Sequence, residues 1–300
     1  MTFKNINQHC YIYESAVNVG YVTDGKTGLL IDTGIDKSSV KKVVKELEQH
    51  KLPLTHLFIT HAHADHYGGA AYLQSHYDIH TLAPHLEEAI LRNPSLEPLY
   101  LFGGNDPLPE LHNKFLQGPE MQVDETAEAG EQLIGTMQVE AIRTPGHSYN
   151  QLSLLAYDTL YAADAYFGKD QLDKHRIPYI TDVEKTLQSL EKLKGLDAKG
   201  AVPGHGRYET DFKDTLQANI DYHMSILHSL EVLIYKHPGG ITHEEAVSRM
   251  CAKYKVKASK LPQWLLFKTA VTAYLTGLIH TEKITHAVSD FKWTFYPVRS

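Results

Sequence analysis

Four side chains able to ligate a cation fall within residues 61–66: His61, His63, Asp65 and His66, in the run Thr60-His61-Ala62-His63-Ala64-Asp65-His66. Imidazole and carboxylate together suit zinc, iron or manganese. Ala62 and Ala64 keep bulk out of the intervening positions, and Gly68-Gly69 permits close backbone approach just beyond. Three more candidates stand far downstream: His147 in Pro145-Gly146-His147-Ser148, Asp164 in Ala163-Asp164-Ala165, and His205 in Pro203-Gly204-His205-Gly206. Each follows an apolar run of strand character and enters a turn. Taken singly, His147 and His205 read as turn histidines and Asp164 as a strand-end cap, in a chain with 19 histidines. The repeated pattern of strand then ligand is what singles out these residues. Cys10 and Cys251 lie far apart without a C-x-x-C pair, so any metal must rely on histidine and carboxylate.

The elements that must position these side chains are legible in outline. Cys10–Glu14, residues 17–23 and Gly28–Ile31 read as strands, the last ending at Asp32-Thr33-Gly34. Val40, Val43, Val44 and Leu47 recur at helical spacing behind the capping candidates Asp36, Ser38 and Ser39. A buried strand over residues 57–60 delivers the chain into His61, and residues 69–76 read as a helix. Residues 91–122, rich in Pro, Gly, Leu and Asn, form a long excursion that could cover a site. Strands over residues 139–143, 152–157 and 159–163 flank His147 and lead into Asp164, and a helix over residues 183–193 precedes Ala201-Val202 and His205. Beyond about Asp211 the pattern turns helical, over residues 216–235 and 261–278, with a helix start after Gly239-Gly240-Ile241-Thr242. Residues 279–284 and 293–298 are expected to pair as a hairpin, which makes a winged-helix-like unit. We expect a catalytic domain over residues 1–210 and a helical C-terminal region over 211–300.

A chain of 300 residues, 42% hydrophobic and 22% charged, has the composition of an ordinary soluble globular protein. No apolar run reaches the roughly 20 residues of a membrane span, and Met1 to Cys10 lacks the pattern of a signal peptide, so a cytoplasmic protein without a membrane partner is expected. Both cysteines read as reduced. Residues 1–210 carry 18 basic against 28 acidic side chains, while residues 211–300 carry 11 against 8. The larger part would repel nucleic acid; the tail is mildly basic.

The complete H-x-H-x-D-H element at His61, His63, Asp65 and His66, with His147, Asp164 and His205 in their later motifs, resembles the metallo-β-lactamase superfamily, which includes glyoxalase II-like thioesterases, lactonases and ribonuclease Z-like nucleases. The strand ending Ile31-Asp32-Thr33-Gly34 is similar to an early structural turn of that family. The resemblance covers roughly residues 10–210. It implies an α/β fold, a four-layer αββα sandwich with the site at one edge of two packed sheets, here followed by a small mainly helical C-terminal unit. It implies two divalent transition-metal ions, zinc first and iron or manganese otherwise: His61, His63 and His147 on one, Asp65, His66 and His205 on the other, and Asp164 bridging both. Paired metals of this kind clamp a hydroxide that attacks a carbonyl or phosphorus, and Asp65 would orient it or shuttle its proton. The family usually has glycine where Ala163 precedes the bridging aspartate.

The reading that follows is a metal-dependent hydrolase of a small thioester, ester or lactone. A ribonuclease or phosphodiesterase, with the basic C-terminal unit on RNA, is the alternative; Lys253, Lys255, Lys257 and Lys260 around Tyr254 would make that contact, although a solvated charged face is the plainer explanation. A mono-iron sulfur dioxygenase is a third reading and a DNA-binding regulator a fourth. The C-terminal region could also serve a homodimer. Asp32 is expected to bond loop backbone beneath the site rather than ligate. Tyr100, Phe102 and His112 are either pocket walls or loop packing, and Tyr166 either reaches a substrate oxyanion or belongs to the core.

Overall fold

The computed structural model describes residues 2–298. Seven strands build the first sheet in sequence order: β1 (Thr2–Asn5), β2 (Cys10–Glu14), β3 (Val19–Thr23), β4 (Gly28–Ile31), β5 (His56–Phe58), β6 (His80–Pro84) and β7 (Glu125–Ala127). Strands β1 to β4 run antiparallel as hairpins, and β4 to β7 run parallel. The parallel register needs crossovers. Helices α1 (Lys37–Gln49), α2 (Ala64–Tyr67) and α3 (Ala70–His76) supply two of them. The second sheet comprises β8 (Gly130–Ile134), β9 (Met137–Arg143), β10 (Leu152–Ala156), β11 (Thr159–Ala163) and β12 (Gly200–Pro203), in the order β12-β11-β10-β9-β8.

The two sheets pack face to face. Ile12, Val22, Leu29, Phe58 and Leu82 of the first meet Val139, Leu152, Leu154, Tyr161 and Val202 of the second in one buried cluster. The outer face of the first sheet is covered by α1 and α3, whose Val40, Val43, Val44, Leu47 and Leu73 join Leu30 and Leu57. Asp36 caps α1 by accepting from the Ser39 N–H. The outer face of the second sheet is covered by α7 (Val183–Lys194) and the start of α8 (Phe212–Tyr235). These are the four layers that the family resemblance implies.

Helix α8 belongs to two cores. Phe212 and Leu216 pack under the second sheet, while Ile226, Leu230 and Ile234 pack with α9 (His243–Lys253) and α10 (Leu261–His280). A small sheet closes this second core in the order β13-β15-β14, from β13 (Ile241–Thr242), β14 (Ile284–Ser289) and β15 (Lys292–Pro297). Thr242 caps α9 through the Glu245 N–H. The C-terminal hairpin forms later than the sequence suggests. Ile279 remains in the last turn of α10, packed in the C-terminal core, and pairing begins at Ile284 opposite Pro297. The strand expected from residue 17 starts at Val19, and the helix expected from residue 216 starts at Phe212.

The excursion between β6 and β7 is structured. It contains α4 (Glu87–Arg92), α5 (Leu96–Leu101) and a 3-10 turn at Pro109–Leu111. The last crossover element of the second sheet begins with the short helix α6 (Lys169–His175). No helix among the described residues is long and apolar enough to cross a membrane.

Candidate metal centre

Strand direction explains why four separated stretches meet. Strand β9 is antiparallel to β10, β10 is antiparallel to β11, and β11 is parallel to β12. Hence β9, β11 and β12 end at the same sheet edge, and they deliver His147, Asp164 and His205 there. Strand β5 delivers residues 61–66 to the facing edge of the first sheet.

The structure brings all seven predicted side chains together. His61 Nε2 lies 3.1 Å from His63 Nδ1, which lies 2.9 Å from His147 Nε2. Two nitrogens each about 2 Å from one tetrahedral cation would stand roughly 3.3 Å apart. A second group gathers Asp65, His66 and His205, with His205 Nε2 3.4 Å from Asp65 Oδ2. The Asp164 carboxylate sits between the groups: Oδ2 is 3.3 Å from His147 Nε2 and 3.4 Å from His205 Nε2, and Oδ1 is 3.2 Å from His66 Nε2. His66 Nε2 and Asp164 Oδ1 are both buried, yet neither makes a hydrogen bond. Buried polar atoms of this kind are normally paired. Donor atoms of mixed nitrogen and oxygen chemistry that converge on one another in this way fit divalent transition-metal ions.

Four of the five rings, those of His61, His66, His147 and His205, are held from behind. Asp32, in a left-handed conformation at φ 62, accepts from the Thr60 N–H at 2.9 Å and the Thr60 hydroxyl at 2.8 Å. Its Oδ2 also lies 2.8 Å from His66 Nδ1, so Asp32 orients a ring as well as a loop. His61 Nδ1 lies 3.0 Å from the Thr60 hydroxyl. His147 Nδ1 and His205 Nδ1 face the carbonyls of Tyr179 and Ala16 at 3.0 and 2.9 Å. A ring that donates from Nδ1 keeps Nε2 as a bare acceptor.

Buried Glu87, at the start of α4, ties the two histidine loops together. It accepts from the Ala62 N–H at 2.9 Å, the Ser148 hydroxyl at 2.7 Å and the Asn150 N–H at 2.9 Å. Asn18 does the same for the third loop, donating to the carbonyls of Pro203 and Gly206. Neither residue stands in a pattern that sequence reading could have picked out. Close approach explains the glycines. A Cβ on Gly68 would lie 2.1 Å from the Ile35 carbonyl oxygen, and one on Gly204 would lie 2.0 Å from Asp164 Oδ1. Ala163 adopts φ 48, which accounts for the usual glycine there; alanine holds it at a cost of about 1 kcal/mol.

The electrostatics divide the histidines. Burial holds His61 well below its ordinary value and His63 and His147 down at about 4, so all three offer neutral lone pairs. Burial also pulls on His66 and His205, but the carboxylates of Asp164, Asp32 and Asp65 outweigh it; His66 rises well above its ordinary value and His205 to about 10. Burial likewise opposes ionisation of Asp65 and Asp164, and the neighbouring imidazoles overcome it, so both fall below the usual carboxylate range. A cation held by His66 and His205 would have to displace their protons, so its affinity would fall as the pH falls.

A cavity of about 260 Å³ opens on the cluster. His63, Asp65, His147, Asp164 and His205 form its floor, with Phe115, Leu116, Phe167 and Leu266 among its walls. A wider cavity of about 760 Å³ meets it at Asp65, His175 and His205 and leads outward. The excursion therefore does supply walls, but through Glu97, Phe115 and Leu116. Tyr100 and Phe102 line a separate groove beside Trp264, and His112 another beside Lys114. Tyr166 is buried in the core under the second sheet. Lys253 ends α9 and Lys260 precedes α10, while Lys257 lines a chamber of about 270 Å³ that shares His175, Tyr179 and Leu266 with the metal-site cavity.

The profile of the metallo-beta-lactamase superfamily matches residues 12–205. The lactamase-like protein adaB of Aspergillus niger is 25% identical over 207 residues, 68% of this chain and 54% of that protein. The atrochrysone carboxyl ACP thioesterase of Aspergillus fumigatus is 26% identical over 198 residues, 66% of this chain and 53% of that one. The chain thus spans about half the length of the curated relatives it matches. A metallo-beta-lactamase family protein from Thermus thermophilus superposes with a TM-score of 0.73 at 17% identity, over 98% of this chain and 100% of that one. A beta-lactamase domain protein from Burkholderia ambifaria gives 0.72 at 14%, over 99% and 93%. At such identities the structural likeness speaks to fold alone.

Proposed function

The chain belongs to the metallo-β-lactamase superfamily, and from that premise we propose that it hydrolyses a small thioester, ester or lactone using two divalent transition-metal ions. His61, His63 and His147 would hold one ion and Asp65, His66 and His205 the other, with Asp164 placed to serve both. The observation that carries this reading is the Asp164 carboxylate, lying within 3.4 Å of ring nitrogens from both groups. When bound, such a pair supplies Lewis acidity and water with a pKa lowered to roughly 7.

The chain's own residues do the rest. Asp65 stands at the junction of the two cavities, where its carboxylate can orient an attacking water and take its proton. Asp32, Thr60 and Glu87 keep the donor atoms in place, so little reorganisation is needed as charge develops. Phe115, Leu116, Phe167 and Leu266 give the inner cavity apolar walls, and its volume suits an acyl group of a few carbons. The wider outer cavity receives the leaving half of the substrate. Among the three ester classes, a thioester is favoured by relatives named as thioesterases. Residues 1–210 with the first turns of α8 form the hydrolytic unit, and the rest of the C-terminal region a second unit that lends Leu266 to the cavity wall. Zinc is the first candidate for the ions, with iron or manganese next.

A panel of acyl thioesters, lactones and phosphodiesters, assayed with zinc-, iron- and manganese-loaded protein, tests this. Turnover of a thioester, ester or lactone that disappears in His63→Ala is expected. Cleavage of phosphodiesters alone, or oxygen uptake with a single iron per chain, would overturn it.

A further inference from the structure

A basic groove lies outside the metal centre, on a region that is otherwise acidic. Residues 1–210 carry 18 basic against 28 acidic side chains. Three ammonium groups nevertheless gather where α1, α3 and the loop at 112–119 meet. Lys37 Nζ and Lys41 Nζ stand 5.0 and 5.1 Å from the centre of one ring, that of Tyr72. The two charges are therefore no further apart than about 10 Å, the screening length at 0.1 M salt. Among the described residues neither forms an ion pair with a carboxylate. Lys114 lines the same groove and reaches Asp36 Oδ2 at 3.2 Å. Asp36 is the one carboxylate lining the groove, and its other oxygen already accepts from the Ser39 N–H and hydroxyl. Like charges gathered with so little compensation cost free energy, and a bound anion recovers it.

We propose that this groove binds a phosphorylated nucleoside, with Lys37, Lys41 and Lys114 on the phosphates and Tyr72 against the base. Its volume of about 680 Å³ is far more than a bare phosphate fills, so the anion must come with an organic body. Ile35, Ala71 and Pro119 supply apolar wall for that body. The rings of Tyr72 and His76 lie together at 4.2 Å with a 33° tilt, and aromatic rings of this kind stack with any base. None of the seven donor residues lines the groove. The nucleotide has two possible sources: a free ligand, or the nucleotide end of a thiol such as coenzyme A in the leaving half of the substrate. Continuity supports the second. Ile35 lines both this groove and the outer cavity, and Phe115, next to Lys114, lines both the outer cavity and the metal-site cavity. For that source alone the inference rests on the hydrolase reading; the site itself does not.

The test is titration calorimetry of the metal-loaded protein with ADP, adenosine and inorganic phosphate. Thiol release from acetyl-coenzyme A is then compared with release from the acetyl thioester of N-acetylcysteamine, which lacks the nucleotide. Wild type should bind ADP about tenfold more tightly than adenosine or phosphate. Lys37→Ala combined with Lys41→Ala, and separately Tyr72→Ala, should each weaken ADP about tenfold. Lys45→Ala, one turn further along α1 and outside the groove, should bind ADP as wild type does. If the nucleotide belongs to the substrate, the groove variants also raise KM for acetyl-coenzyme A relative to the short thioester. If it is a free ligand, that KM ratio holds while ADP affinity falls; either pattern supports the site. No binding of ADP by wild type, or wild-type affinity in the groove variants, would overturn the inference. So would loss of ADP binding in His63→Ala but not in the lysine variant, because the phosphates would then sit on the metal centre. Turnover of neither thioester would count against the hydrolase reading, while calorimetry would still decide the groove.

Discussion

Gly204→Ala should disable the metal centre without altering any of the seven donor residues. The added methyl would stand 2.0 Å from Asp164 Oδ1, 3.0 Å from His66 Cε1 and 3.1 Å from the Ala163 carbonyl carbon. Backbone strain plays no part, because Gly204 is not among the residues with positive φ. To restore even a 3 Å contact the carboxylate must withdraw by about 1 Å, and van der Waals contact proper requires more. It has nowhere to go while it stays within 3.4 Å of His66, His147 and His205. A displacement of about 1 Å at reacting geometry typically costs on the order of 100-fold in rate. Overpacking adds roughly 1–3 kcal/mol of destabilisation. The assay is metal per chain by plasma mass spectrometry, with kcat/KM and Tm on the same preparation. Gly239→Ala, which meets nothing within 4 Å, is the control. Wild-type metal content and kcat/KM in Gly204→Ala would refute the placement of Asp164 between the two donor groups.

Asp32→Ala leaves the Thr60 N–H and His66 Nδ1 without their acceptor, and metal affinity measured by chelator competition should fall about 10- to 100-fold; unchanged affinity would deny Asp32 its orienting role. Ala163→Gly relieves a left-handed alanine at φ 48 and should raise stability by about 1 kcal/mol, seen as a Tm rise of roughly 2 °C; a fall would contradict the strain. His223, 2% exposed and 2.7 Å from the Tyr274 hydroxyl, is pushed by burial from 6.5 to about 4. The unfolded chain takes up this proton first, so its contribution is present above pH 6.5 and is lost as pH falls through about 4, on the order of 3 kcal/mol in all. His223→Gln should flatten the acid limb of a Tm-against-pH curve in that window, and an unaltered limb would count against the burial argument.

The individual elements and the grouping of the donor side chains were legible because both rest on repeated local patterns, whereas the four-layer arrangement came from the family resemblance carried by residues 61–66. Helix α1 announces itself through Val40, Val43, Val44 and Leu47 with Asp36 as its cap, and all four of these apolar side chains are buried. His147, Asp164 and His205 could be grouped because each ends a strand, and parallel alignment of strand ends is a rule of topology. Solitary polar residues carried no such signal. Glu87 and Asn18 act across 25 to more than 180 positions of chain, and nothing in their local spacing marks them. Of the two readings left open for Tyr100, Phe102 and His112, the structure places these side chains along grooves apart from the donor cluster. Tyr100 and Phe102 have the bulk expected of a wall, but α5 turns them toward Trp264 and presents Glu97 to the cavity instead. The C-terminal hairpin was shifted because apolar Ile279 fits a helix as well as a strand, and packing in the helical core decides for the helix.

The two-cation account is tested most directly by metal quantification on protein purified without added metal, repeated after dialysis against zinc, iron or manganese. Close to two ions per chain, falling in both His63→Ala and Asp164→Ala, is the expected result. Less than one ion per chain under every loading condition, or wild-type content in Asp164→Ala, would contradict it.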